Sequence, residues 1–181
     1  MVDERSRSAH ESDNELTPRE RLAWRTYLAG KSNLDEVVNR QLEQGHNLSF
    51  PEFRILLALH RAPQHALRMS VLADRVHVSR GQLTHLVRAL EARDLVLRKP
   101  DPHDRRGVVA HLTPTGSRTV EAALPGHERI VRDHFVEPVT DIALDTVADA
   151  FGRIARNTTE LSAGTGKGSG KVRGEPTDSN S

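Results

Sequence analysis

The chain has 181 residues and a formal net charge of +1, a size that allows one domain with a sizeable core. It contains no cysteine, which excludes disulfides, thiolate zinc sites and cysteine-based redox sensing. No apolar run approaches the roughly 18 residues that span a bilayer, and the sequence does not start with the apolar stretch of a signal peptide. These features predict a cytoplasmic protein that has no contact with a membrane.

Both ends of the sequence are predicted to be disordered. Residues 1–15 are mostly charged or small and polar, and residues 162–181 are rich in glycine and serine. Such segments bury too little apolar surface to offset the entropy cost of ordering them. The folded domain is therefore predicted to occupy residues 16–161.

Two capping boxes predict the starts of the first two helices. Thr17 and Glu20 form one around Pro18, and Ser49 and Glu52 form the other. The first helix is expected to end near residues 45–47, and the second to break at residues 61–65.

A helix–turn–helix is predicted next. Ser70 is expected to cap its first helix, whose inward residues would be Val71, Leu72, Ala73 and Val76. Residues 77–78 form the turn, and Ser79 is expected to cap the second helix. The inner face of that helix would carry Leu83, Leu86, Val87 and Leu90.

A β-hairpin and two helices complete the predicted domain. Residues 95–99 and 108–112 are expected to pair as strands around a charged turn at residues 100–107. A long helix should start at Thr113, kink at Pro125 and end at Pro138, and Thr140 or Asp141 should cap the last helix. A helix–turn–helix followed by a hairpin is the order of a winged helix, so the fold class is mostly α with a small β wing.

The second helix of the helix–turn–helix has a polar outer face that is suited to reading DNA. Its candidate DNA-contacting residues are Ser79, Arg80, Gln82, Thr84, His85 and Arg88. Arginine and glutamine recognise guanine and adenine edges in the major groove, and hydroxyls contact bases or phosphates. Residues 75–106 carry eight basic and four acidic side chains, an excess of +4 in a chain whose total is +1. This local excess favours phosphate binding.

The segment 103–113, HDRRGVVAHLT, resembles the wing motif of the MarR family of transcription regulators. In that motif, Asp-x-Arg is followed by a spacer, an apolar residue and then x-Leu-Thr. Asp104, Arg106, Leu112 and Thr113 match, while Ala110 stands where a larger aliphatic residue is usual. Residues 69–73 and 90–96 are also similar to the family, so the resemblance covers about residues 17–160.

The resemblance implies a role for each part of the chain. Arg106 would enter the minor groove from the wing tip, and Asp104 would orient the wing through an ion pair with a nearby arginine. The helix from residue 79 to 93 would read the major groove, within a DNA-binding lobe of residues 49–113. Helices at about residues 17–44 and 114–161 would form a homodimer. The function implied is a repressor on pseudo-palindromic operators, modulated by a small aromatic or phenolic effector.

The homodimer also follows from the apolar residues themselves. The last two helices and the segment around Trp24 carry more apolar surface than one small winged helix could cover. A large apolar surface without a core partner is usually an interface.

Several residues keep two interpretations. Trp24, Tyr27 and Phe53 could line an effector pocket or pack in the core or interface. Arg105 could contact a phosphate or be a solvated turn residue, and a protonated His85 would attract phosphate.

The remaining signals argue against chemistry at this site. His127 and His134 lie seven residues apart without a spacing typical of zinc, so packing is favoured and no metal or cofactor is predicted. The sequence contains no phosphate loop, nucleophile elbow or HExxH pattern, so an enzyme is not expected. The alternative function is a winged-helix protein–protein interaction module that does not bind DNA.

Overall fold

The structure is a computed structural model that describes residues 15–102, 104–139 and 141–164. The side chains of residues 105, 141, 142 and 158–164 are outside that description. The chain divides into two compact units, Met1–Phe135 and Val136–Ser181, which are treated separately.

The first unit contains five helices and three strands among its described residues. The helices are α1 (Pro18–His46), α2 (Phe50–His60), α3 (Met69–Val76), α4 (Arg80–Ala92) and α5 (Pro114–Val131). The strands are β1 (Ala66–Arg68), β2 (Val96–Asp101) and β3 (Asp104–Leu112), which form one antiparallel sheet in the order β1-β3-β2. A short 3₁₀ turn, Pro63–His65, precedes β1, and a π-helical turn, Arg132–Val136, follows α5.

The second unit contains α6 (Asp141–Gly164). This helix continues three residues past the predicted end of the domain at residue 161, so the start of the predicted tail is helical. The predicted cap Thr140 and the rest of both predicted tails lie outside the described residues. None of the described helices is both long and apolar enough to cross a membrane.

Both predicted capping boxes are present. The Glu20 carboxylate accepts a hydrogen bond from the Thr17 backbone N–H at 2.7 Å, and Glu52 accepts one from Ser49 at 2.8 Å. In return, each hydroxyl accepts from the backbone N–H of its glutamate. The bond from the Thr17 backbone lowers the pKa of the Glu20 carboxyl. Asn47 ends α1 in the left-handed region at φ 52°, inside the predicted stop.

The start of α3 corrects two predictions. The helix begins at Met69 directly after β1, so Ser70 lies inside the first turn and is not its cap. Val71 is 43% exposed instead of facing inward, while Leu72, Ala73 and Val76 are buried as predicted. The cause is β1, a strand the sequence pattern did not reveal. Its pairing with β3 leads the chain straight into the helix and fixes which side of α3 faces the core.

The wing hairpin is longer than predicted. Its strands continue to Asp101 and resume at Asp104, so the turn predicted over residues 100–107 is wrong. Lys99 pairs with Val109 and Pro100 with Val108, and a bulge follows between Pro100 and Asp101. Charged residues such as Lys99 and Arg106 therefore occupy strand positions, because these positions are exposed and need no apolar side chain.

The end of α5 also differs from the prediction. The α-helix ends at Val131 and continues only as the π-helical turn, so Pro138 is not where it stops. Pro125 lies inside α5 as expected.

The core of the first unit lies between α2, α3, α4, α5, the carboxyl-terminal half of α1 and the sheet. Its largest fully buried side chains include Phe53, Leu42, Leu48, Ile55, Leu56, Leu72, Leu83 and Leu90. Burial of this apolar surface is the main stabilising contribution, at about 25 cal/mol per Å². One face of α4 packs against this core, and its other face is exposed.

Candidate nucleic-acid interface

Helix α4 is held by one face and exposes the other. Leu83, Val87 and Leu90 are buried, whereas the predicted Leu86 is half-buried. The exposed face carries the predicted residues Ser79, Arg80, Gln82, His85 and Arg88. The spacing of apolar side chains at three and four residues thus separates a buried face from an exposed polar face along one helix.

Two of the residues predicted to contact DNA also form hydrogen bonds within α4 or at its start. Ser79 is the N-cap, and its hydroxyl oxygen accepts from the Gln82 backbone N–H at 3.2 Å. The half-buried Thr84 donates its hydroxyl proton to the Arg80 carbonyl at 2.8 Å. Both hydroxyls are therefore held in position, and Thr84 keeps its oxygen as an acceptor.

The turn before α4 is defined by the backbone conformation of His77 and by a hydrogen bond from α2. His77 ends α3 in the left-handed region at φ 53°, as the predicted turn requires. The Arg54 Nη2 donates a hydrogen bond of 2.6 Å to the Val76 carbonyl, one residue earlier. This bond ties α2 to the end of α3, directly before the turn.

Asp104 stabilises the wing tip through the backbone. Its Oδ1 accepts a hydrogen bond of 3.0 Å from the Arg106 backbone N–H. Among the described side chains, an ion pair beneath the wing is made by Asp101, whose Oδ2 lies 2.5 Å from the Nε of Arg68. The wing-orienting ion pair predicted for Asp104 stays a prediction. The side chain of Arg105 lies outside the description.

Asp101 is the one buried charged residue among the described part of the chain, at 6% exposure. Gly107 packs over it, since a Cβ at position 107 would lie 2.8 Å from the Asp101 Cβ. The sequence pattern placed Asp101 in a charged turn and assigned Arg68 no role. The close contact with Gly107 and the ion pair with Arg68 instead hold the Asp101 side chain in place beneath the wing.

A cleft of about 500 Å³ separates the wing from α3 and α4. Four arginines line it: Arg68, Arg80, Arg98 and Arg106. Only Arg80 and Arg106 were predicted as site residues. Arg68 and Arg98 belong to strands whose pairing brings them here, so their position could not be read from local sequence.

Arg98 is held by Glu91 of α4. Its Nη2 and Nε donate to Glu91 Oε2 at 2.6 and 2.9 Å. These bonds lower the pKa of the Glu91 carboxyl and keep it ionised. The pair joins the base of the wing to the recognition helix.

The three aromatic residues considered for an effector site have different surroundings. Trp24 and Tyr27 lie on the exposed amino-terminal half of α1, with ring centroids 5.6 Å apart. Phe53 is fully buried in the core, where its ring lies 4.8 Å from that of His127.

The histidines form no cluster with ligating geometry in the described residues, where no group of three His, Asp or Glu side chains could hold a metal ion. His127 is partly buried and His134 is exposed. Burial lowers the pKa of the His127 imidazole.

The helix–turn–helix, the paired wing and the arginine-lined cleft together define a winged-helix protein of the DNA-binding class. Comparison with known proteins agrees with this class. The model of the MarR family matches residues 46–107. The HTH-type transcriptional repressor YetL of Bacillus subtilis (strain 168) is 31% identical over 114 residues, which cover 61% of this chain and 68% of YetL. The HTH-type transcriptional regulator MhqR of the same organism is 23% identical over 129 residues, covering 71% of this chain and 86% of MhqR.

Solved structures give the same assignment. AbsC, a MarR family transcriptional regulator from Streptomyces coelicolor, is 31% identical with a TM-score of 0.77, covering 81% of this chain and 99% of AbsC. Sco3205, a regulator of the same family and organism solved in complex with DNA, is 29% identical with a TM-score of 0.77, covering 80% and 90% of the two chains. The chain belongs to the MarR family of transcriptional regulators, which are not enzymes. The predicted family and fold class are confirmed.

Proposed function

We propose that this regulator is a sequence-specific repressor that binds pseudo-palindromic operators as a homodimer. The observation that carries the proposal is the arrangement of two DNA-facing elements on one side of the first unit. The exposed face of α4 and the wing residue Arg106 border the same arginine-lined cleft. A helix in the major groove and a wing in the minor groove need this spacing across one strand of the backbone.

The roles follow from the chemistry of the side chains. Arg80, Gln82 and Arg88 are exposed and long enough to reach base edges in the major groove. Arg106 would enter the minor groove, with its backbone fixed by Asp104. The remaining residues, Ser79, Thr84, His85 and Arg105, would contact bases or phosphates.

Relatives support the proposed outcome of binding. YetL is named a repressor, and Sco3205 was crystallised with DNA. A protein that covers promoter DNA excludes polymerase by occupying the same site, so repression is the simplest outcome.

The homodimer is supported by an apolar strip on α1. Trp24, Tyr27 and Leu28 are 55%, 37% and 45% exposed, and their spacing of i, i+3 and i+4 places them on one face of the helix. Large apolar side chains exposed together usually mark an interface. A second copy of the chain is the proposed occupant, because a two-fold dimer would place two copies of α4 about 34–36 Å apart, one turn of DNA.

A small aromatic or phenolic effector is the proposed signal. The paired rings of Trp24 and Tyr27 offer an aromatic surface on the strip proposed to form the interface. A ligand bound there would change the spacing of the two recognition helices and so the affinity for the operator. Binding of phenolic compounds to the purified protein, with and without Trp24→Ala, tests this part.

The test of the proposed function is binding of the purified full chain to the DNA upstream of its own gene. A scrambled duplex of equal length is the control, and both are measured at two salt concentrations. Selective binding with a steep salt dependence is expected. If that DNA is not bound, selection from random duplexes should return a pseudo-palindrome, and failure of both would favour the protein–protein module.

A further inference from the structure

The cleft between the wing and α4 contains arginines in two different states. Arg68 and Arg98 are each bonded to a carboxylate, Asp101 and Glu91 respectively. Arg80 and Arg106 line the same cleft but form no ion pair with any of the described side chains. The two anchored arginines are therefore held in fixed positions, whereas the other two can adjust to a ligand.

The anchoring of Arg68 has an unusual form. Its partner Asp101 is buried at 4% side-chain exposure, while the Arg68 side chain remains 49% exposed. The closest contact is made by Nε, the inner nitrogen of the guanidinium. A guanidinium bonded through Nε still has its two terminal amino groups, a fork that matches two phosphate oxygens.

The surroundings of Asp101 make this anchor rigid. Gly107 lies against its Cβ, and the strand register shifts between Pro100 and Asp101. A buried carboxylate needs a partner to stay ionised, and Arg68 supplies the positive charge. The pair therefore joins β1 to the wing and presents a cation at the cleft.

We propose that the cleft receives a phosphate of the DNA backbone and that Arg68, positioned by Asp101, contacts it. This inference rests on the proposed DNA-binding function and adds a contact that the recognition helix and wing tip do not supply. The backbone strand lies between the major groove, read by α4, and the minor groove, entered by Arg106. Arg68, Ser70 and Thr84 all line the cleft. A phosphate there would contact the Arg68 guanidinium and lie near the hydroxyls of Ser70 and Thr84. Such a contact carries no base information, so it sets the position of the protein on DNA rather than its sequence preference.

The first experiment compares Arg68→Ala with Arg118→Ala in binding to operator and scrambled duplexes over a range of salt concentrations. Arg118 is exposed on α5 and does not line the cleft, so the control makes the same charge change elsewhere. Arg68→Ala should weaken binding roughly tenfold on both duplexes and reduce the salt slope by about 1. An Arg68→Ala protein that binds like Arg118→Ala, with the same slope, would overturn the proposal.

A second variant separates positioning from simple charge. Asp101→Asn removes a negative charge next to DNA, so electrostatics alone would tighten binding. The proposal predicts several-fold weaker binding, because the neutral amide no longer holds Arg68 in place. Tighter binding would contradict it.

A third comparison separates a direct phosphate contact from an indirect effect on the wing tip. In an Arg106→Ala background, Arg68→Ala should still reduce the salt slope by about 1. Loss of the Arg68 effect in that background would mean that Arg68 acts only through Arg106 and would overturn the proposal. Circular dichroism and thermal melting confirm that each variant is folded. Failure of the wild-type chain to bind any duplex would instead refute the proposed function itself.

Discussion

The imidazole of His127 on α5 packs against the ring of Phe53 on α2, with 4.8 Å between ring centroids. Its Nδ1 is buried and has no hydrogen-bond partner among the described residues. Phe50 lies on the same side at 6.0 Å. Among nearby charges, Glu128 favours protonation of this imidazole and Arg61 opposes it, but burial has the larger effect and lowers the pKa.

The free energy of unfolding should therefore fall in mild acid, because the buried His127 resists protonation in the folded state. In the unfolded chain this group titrates near its ordinary pKa of 6.5, whereas the folded state resists protonation. Well above pH 6.5 both states are neutral and the group contributes nothing to the pH dependence. As the pH falls below 6.5 the unfolded state gains the proton first, so the free energy of unfolding declines until the lower folded pKa is passed.

Chemical denaturation between pH 7.5 and pH 5 measures this effect. His127→Phe should show a weaker loss of stability with acid than the wild type. The exposed His134→Phe is the matched control and should keep the wild-type slope. Identical slopes for wild type and His127→Phe would remove His127 from the explanation.

Two helical glycines should respond oppositely to alanine. At Gly116, in the first turn of α5, a Cβ would collide with the Leu95 carbonyl, so Gly116→Ala should destabilise by roughly 1–3 kcal/mol. Gly30 in α1 has open space around it, so Gly30→Ala should stabilise by about 0.5–1 kcal/mol. Urea unfolding of both variants checks the pair, and a stabilising Gly116→Ala would show that the α5 start is not packed on Leu95.

Changes at the outer face of α4 should alter sequence preference. Arg80→Ala and Gln82→Ala should each cost about 1–3 kcal/mol at particular base pairs and little at others. The measurement is binding to a set of operators with single base-pair changes, with Arg118→Ala as the control. An equal loss on every sequence would mean that these residues contact only the backbone.

The oligomeric state should depend on the apolar strip of α1. Leu28→Asp places a charge on a surface that the proposed dimer buries, so it should shift the protein toward monomer. Sedimentation equilibrium over a range of concentrations measures the change, and the exposed Asn33→Asp serves as a charge control. A Leu28→Asp protein that remains as dimeric as the control would exclude this strip as the interface.

Local sequence patterns predicted the starts of three helices and the exposed face of α4. The capping boxes at Thr17 and Ser49 and the cap at Ser79 are set by neighbours within one turn, and all three are present. The inner and outer faces of α4 follow from apolar spacing alone. These features depend on residues close in sequence, so the sequence contained enough information to predict them.

The parts that were missed depend on distant pairing. β1 has three residues and exists because it pairs with β3, more than forty residues away. Because of that pairing, α3 begins at Met69 and Val71 is exposed. The same pairing places Arg68 next to Asp101. Local pattern could not predict an ion pair whose partners meet only after the sheet forms.

A substitution of Arg106 tests most directly whether α4 and the wing bind DNA together. Binding of wild type and Arg106→Ala to the selected operator is measured across a series of salt concentrations, with Arg118→Ala as the charge control. Arg106→Ala is expected to bind more weakly on all sequences, with a salt slope reduced by about 1. Unchanged affinity and slope in Arg106→Ala would contradict the claim that the wing contacts DNA.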